Sequence, residues 1–126
     1  MIEVVCAIIL KDEKILAVQR SSTMLLPLKW EFAGGKIEEG ESEIECVKRE
    51  VLEELNINVE VKDRLTPVIH AYPNFKIKLI PYTAHYVSGE LKLREHADYV
   101  LVDKKELLAL DWAEADVPVA KEYIII

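Results

Sequence analysis

The sequence has no long apolar run. Its most hydrophobic stretches, VVCAIIL near the start and YIII at the end, fall far short of the ~20 residues that a spanning helix needs, so no membrane segment is expected. An acid, Glu3, precedes the first apolar run where a leader would carry basic residues, and a hairpin turn follows it. A secretory leader is therefore not expected. Cysteine is nearly absent: Cys6 and Cys46 stand alone. That excludes a disulfide-stapled scaffold and leaves two buried free thiols, as suits a cytoplasmic protein. The three histidines, His70, His85 and His96, are scattered without zinc-site spacing. His70 and His85 fall in strand-like segments, where packing is the expected role. Glycine is down to four residues, and no Pro/Gly/Ser-rich linker or repeat divides the chain. The 126 residues are read as one domain, 1–126. Positive charge is the minority, with 16 Lys and Arg against 23 Asp and Glu and a net charge of -7. Such a protein does not adhere to a nucleic acid polymer through its overall field. It can still take a phosphorylated small molecule if a divalent cation lies between the two anions.

The hydrophobic content is 51%, enough for a packed core. Met1–Arg20 reads as two strands, VVCAIIL and KILAVQR, joined by a turn at Lys11, Asp12 and Glu13. Ser21–Lys29 reads as a loop and Trp30–Ala33 as a short extended piece, which Gly34-Gly35 is expected to break. Ser42, with Glu45 three residues later, forms a capping box that opens a helix. Ile44, Val47, Val51 and Leu55 give that helix a buried stripe, and Asn56 suits a left-handed helix end. A strand begins at Ile57. LTPVIHAY and FKIKLIPYTAHYV are strands about a Pro73-Asn74 turn. Ser88-Gly89 is expected to close a further hairpin into ELKL, and YVLV to be a buried strand. Asp103 caps a short helix. Asp116–Ile125 fits a last helix, with Pro118 tolerated in its first turn. Strands on either side of a central helix imply an α/β fold, a mixed sheet between helices.

The chemistry lies in GGKIEEGESEIECVKREVLEELNI. Glu50, Glu53 and Glu54 fall on one side of the helix, away from the apolar stripe. Like charges at that spacing cost a few tenths of a kcal/mol per pair. A hard divalent cation turns that repulsion into coordination, because it takes carboxylate oxygens, waters and substrate phosphates as ligands. Arg49 is placed to hold one carboxylate through a two-pronged pair, and Glu41 to reach back over the same face. A glutamate-rich helix can equally be a solvated surface; the glycine pair beside it, where backbone can approach a ligand closely, favours a site.

These residues resemble the signature of the Nudix hydrolases: a glycine, five residues, a glutamate, seven residues, Arg-Glu, an aliphatic, any residue, Glu-Glu, any residue, a glycine and an aliphatic. The places are filled by Gly35, Glu41, Arg49-Glu50, Val51, Glu53-Glu54, Asn56 and Ile57, and only Asn56 departs from the pattern. WEFAGGKIEEGES and the tail AEADVPVAKEYI are similar to the MutT-type subgroup, which includes CTP and oxidised-nucleotide pyrophosphohydrolases. The resemblance implies a Nudix fold, an α/β/α sandwich with a mixed central β-sheet. It implies hydrolysis of a nucleoside triphosphate to the monophosphate and pyrophosphate, with Mg²⁺ or Mn²⁺ as cofactor. It makes Gly35, Glu50, Glu53 and Glu54 metal ligands, Arg49 the residue that orients a carboxylate, and Glu53 the general base, with Glu95 as second choice. Asp116 falls where the subgroup hydrogen-bonds the base edge, though it also fits a helix cap. Phe32 and Tyr72 are expected to wall the base, and Arg20 to contact a phosphate. Two other readings remain: hydrolysis of a nucleoside diphosphate derivative such as ADP-ribose or a dinucleoside polyphosphate, and a nucleotide-binding module without turnover. The expected partner is a small nucleotide, and the expected state a monomer or homodimer.

Overall fold

The computed structural model describes residues 1–126, and the first apolar run sets its frame. β1 (Ile2–Lys11) buries Val5 through Ile9 without a break, because both faces of the strand are covered and no polar alternation is needed. Asp12 and Glu13, both at positive φ, turn the chain into β2 (Lys14–Gln19), the tight connection that matches strand twist. After the Ser21–Lys29 loop come β3 (Trp30–Glu31) and β4 (Ala33–Lys36). β3 pairs with β2 and β4 with β1, both antiparallel, so Phe32 sits where the chain passes from one strand to the next.

The other edge of β1 is taken by β7 (Phe75–Ser88), in parallel from Ile2 opposite Ile77 to Leu10 opposite His85. β5 (Asn58–Arg64) and β6 (Val68–Tyr72) pair with β7 antiparallel on its far edge. β8 (Asp98–Val102) flanks β2. The result is a mixed eight-stranded sheet. α1 (Glu43–Leu55) covers one face. α2 (Val117–Ile124), with 3₁₀ turns at Lys104–Ala109 and Glu114–Asp116, covers the other. The apolar side chains accordingly split into two clusters, one holding Val5, Ala7 and Ile9 with the inner face of α1, the other Cys6 and Ile8 with Leu107 and Val119. This is the α/β/α arrangement expected. Both cysteines are buried and free. No helix is long and apolar enough to cross a membrane.

The capping box at α1 is present: Ser42 Oγ accepts from the Glu45 N–H at 3.1 Å, and the Ser42 N–H donates to Glu45 Oε1 at 3.0 Å. Val47, Val51 and Leu55 are buried as the stripe requires, at roughly 1.5–3 kcal/mol each. That outweighs the glutamate repulsions on the outer face. Asn56 closes the helix at φ 60°, and its side chain donates to Glu90 O and accepts from Arg94 Nη2, both at 3.0 Å.

Several expectations are corrected. Ile44 is 44% exposed; Cys46 and Val47 fill the inward side of the first turns instead. Gly34-Gly35 does not break the strand but lies inside β4. ELKL forms no hairpin. Leu91 and Leu93 do pack against the core, but the backbone bonds the end of α1, with Lys92 N–H on Leu55 O and Arg94 N–H on Glu54 O. YVLV lies at the sheet margin, and within β8 only Val102 is buried. The Asp103 helix is 3₁₀ in form. His85 is exposed and not packed; it lies toward the end of β7, in an open surface hollow with Asp63, Lys104 and Ile126.

Candidate active site

α1 brings its carboxylates onto β4, and the two glycines there make the approach possible. A Cβ on Gly34 would fall 1.9 Å from Val5 O, and one on Gly35 would fall 2.3 Å from Glu50 Cδ. Without those side chains, the Gly34 N–H donates to Glu54 Oε1 at 3.1 Å. Glu54 is only 6% exposed. Burial, with Glu31, Glu50 and Glu95 nearby, pushes its carboxyl up to about 9. Burial raises the Glu50 carboxyl as well. Glu53 remains outside, its side chain 60% exposed.

Arg49 organises the edge of this cluster. Its Nε and Nη2 grip Glu41 at 2.6 and 3.0 Å, and Nη1 bridges Glu50 at 2.9 Å and Glu53 at 3.2 Å. Nη2 also donates to Lys36 O at 3.1 Å, tying helix, strand and loop together. The guanidinium holds the Glu41 carboxyl down to about 2, helped by the Glu38 N–H, and the same bonds raise the arginine. Glu41 thus supports the loop, and it does not line the cleft.

The donor set suits a hard divalent cation. Glu50, Glu53, Glu54 and Gly35 line one cleft and could offer it carboxylate and carbonyl oxygens, the ligands such a cation takes. Glu54 is buried beside Glu31, Glu50 and Glu95 with no Lys or Arg on its carboxyl, a setting that favours a cation. No three His, Cys, Asp or Glu side chains close into a ready cage, so substrate oxygens and water would have to complete the coordination.

The opposite wall is aromatic and apolar. Phe32 is buried and stacks on Trp112, with ring centroids 4.5 Å apart. The Phe32 N–H donates to Asp116 Oδ2 at 3.0 Å, so the Asp116 side chain does not cap α2. Asp116 is 6% exposed, and burial, reinforced by Glu31, pushes its carboxyl up to about 8. Tyr72 Oη accepts from the Ala115 N–H at 3.2 Å. Arg20 Nη1 donates to Glu31 Oε1 at 2.8 Å, and Arg20 Nε to Leu25 O at 2.5 Å.

Apart from Arg49 and its partner Glu41, every site residue selected from the sequence lines one cleft of about 560 Å³. Among the lining residues that escaped sequence reasoning, two are joined to each other. Glu31 and His96 are 65 positions apart, yet His96 Nε2 lies 2.8 Å from Glu31 Oε2. The available signal was position alone: Glu31 opens the run into Gly34-Gly35, and His96 follows Glu95.

The NUDIX domain pattern matches residues 1–123. The chain is 36% identical over 124 residues to the CTP pyrophosphohydrolase of Escherichia coli (strain K12), covering 98% of this chain and 92% of that one. It is 33% identical over 87 residues to the 8-oxo-dGTP diphosphatase of Buchnera aphidicola, covering 69% and 70%. Among solved structures, the MutT protein of Methanosarcina mazei superposes with a TM-score of 0.87 at 28% identity, covering 97% of this chain and 91% of that one.

Proposed function

We propose that this chain, which belongs to the Nudix family of hydrolases acting on phosphoanhydride bonds, converts a nucleoside triphosphate and water to the monophosphate and pyrophosphate. On this reading residues 1–126 are one Nudix domain. The observation that carries it is the cleft's division: acids from α1 at one end, and Phe32, Tyr72 and the buried Asp116 at the other. A polyphosphate fits the first end only with cations, and a base fits the second.

Glu50, Glu53, Glu54 and the Gly35 carbonyl would hold a divalent cation, Mg²⁺ or Mn²⁺. When bound, it neutralises the phosphates and supplies Lewis acidity. Arg49 fixes Glu50 and Glu53 relative to one another, since positioning is most of what phosphate chemistry asks of a protein. Glu53 is the base that takes a proton from the attacking water. It is exposed to the cleft and held only by Arg49. Glu95, which lines the same cleft near Glu54, is the second choice. Arg20, which lines the cleft, would contact a phosphate.

Asp116 reads the base edge. A carboxyl pushed up to about 8 by burial is neutral at pH 7. It accepts the Phe32 N–H and keeps an O–H to donate. Cytosine offers an amino donor beside a ring acceptor, the complement of that pair, and an oxidised purine likewise sets donor beside acceptor. Adenine offers the same edge pattern, so our preference for cytidine or oxidised purine triphosphates rests on what the relatives above are named for. The test is incubation with canonical, methylated and oxidised triphosphates, ADP-ribose and diadenosine polyphosphates, with and without Mg²⁺. Pyrophosphate released from a triphosphate only with the metal supports the proposal. A monophosphate with a phosphosugar, or binding without products, refutes it.

A further inference from the structure

His96 is a buried polar side chain to which the proposed reaction gives no role. Its side chain is 1% exposed. Nε2 meets Glu31 Oε2 at 2.8 Å, and Glu31 is fixed in turn by Arg20. Nδ1 faces Glu54 Oε2 at 3.4 Å, outside hydrogen-bonding geometry, and is the one buried side-chain polar atom left without a partner. An unpaired buried nitrogen is costly, and an apolar residue of similar size would avoid that cost. The other Glu54 oxygen is held by the Gly34 N–H. The Glu54 carboxyl group is therefore boxed between a backbone donor and an imidazole whose orientation is set from Arg20 through Glu31.

We propose that His96 is a positioning residue for Glu54: its ring, anchored on Glu31, confines the Glu54 carboxylate on the side away from Gly34 and sets it for binding a divalent cation. The inference rests on the reading of Glu54 as a cation ligand. Groups that orient a ligand from behind are worth about 10–100-fold in metal affinity, so the effect is large enough to measure without turnover. The two ring nitrogens can be tested separately. In His96→Gln the amide reaches the Nε2 position and keeps the Glu31 bond while vacating the side facing Glu54. In His96→Asn the amide occupies the Nδ1 position and gives up Glu31.

The experiment titrates the full chain with Mn²⁺ alone and follows free ion by electron paramagnetic resonance. Wild type binds, Glu54→Gln binds weakly, His96→Gln loses about tenfold or more, and His96→Asn recovers part of that loss. The recovery matters, because general damage to the fold would not be repaired by the shorter amide. His96→Gln binding like wild type while Glu54→Gln is weakened overturns the role of His96 and leaves Glu54 as a ligand. His96→Asn binding no better than His96→Gln also overturns it. Glu54→Gln binding like wild type removes the cation role of Glu54, and the proposal with it.

Discussion

Replacing Asp116 by asparagine removes an acidic proton from the interior while keeping the shape of the side chain. The amide oxygen can still accept the Phe32 N–H that lies 3.0 Å from Oδ2. In the unfolded chain the carboxyl ionises at its ordinary value of 3.8, but in the fold burial pushes it up to about 8. Between those values the folded state holds one more proton than the unfolded state, so stability falls as pH rises. Each pH unit is worth about 1.4 kcal/mol. By pH 7 the wild type has given up on the order of 4 kcal/mol, and above pH 8 the loss is complete. The amide does not titrate, so the variant carries no such dependence. It is therefore expected to equal the wild type near pH 4 and to be more stable by a few kcal/mol at pH 7. Urea unfolding at closely spaced pH values, with chelator present, measures the difference directly. The same variant should keep base selectivity at pH 7, because the amide oxygen still accepts and its NH₂ donates where the neutral carboxyl's O–H did. A stability difference that stays flat from pH 5 to 8, or a variant less stable at pH 7, would mean that the carboxyl is ionised in the fold and that the base-edge reasoning fails.

Glu53→Gln should lower kcat by about 10²–10⁴ with its unfolding midpoint unchanged; near-normal turnover would remove Glu53 as the base. Gly34→Ala and Gly35→Ala, though adjacent, should fail differently. The first drives a Cβ into the Val5 carbonyl and should cost ~3 kcal/mol or more in urea unfolding. The second meets only the movable end of Glu50, so it should cost less stability and more activity. Arg49→Lys cannot make the two bonds to Glu41 and bridge Glu50 to Glu53 as well. Misplacement of the carboxylates should reduce kcat about a hundredfold, read in steady-state assays at saturating metal.

α1 was legible almost to the residue, because its cap, stripe and left-handed end are local signals carried by side chains within one helix. The ELKL segment was misread for a physical reason. Its side chains alternate as a strand's do, with Leu91 and Leu93 inward, but its backbone partners are helix carbonyls, and alternation does not reveal the partner. Gly34-Gly35 reads as a breaker by propensity. What decides its place in β4 is the closeness of Val5 and Glu50, a tertiary fact. Candidate acids on one helix could be picked from spacing. The link from Glu31 to His96 could not, because it joins two segments through the fold alone.

The tie between Glu90–Arg94 and the end of α1 bears on how the protein can be re-engineered. Lys92 and Arg94 satisfy carbonyls of Leu55 and Glu54, and Glu95 and His96 follow at once, so the stretch works as a measured spacer. Adding or deleting one residue there would shift Glu95 and His96 against the helix, and an epitope or linker grafted at Gly89–Arg94 should abolish turnover. The exposed Asp12-Glu13 turn carries no comparable attachment and is the better place for such a graft.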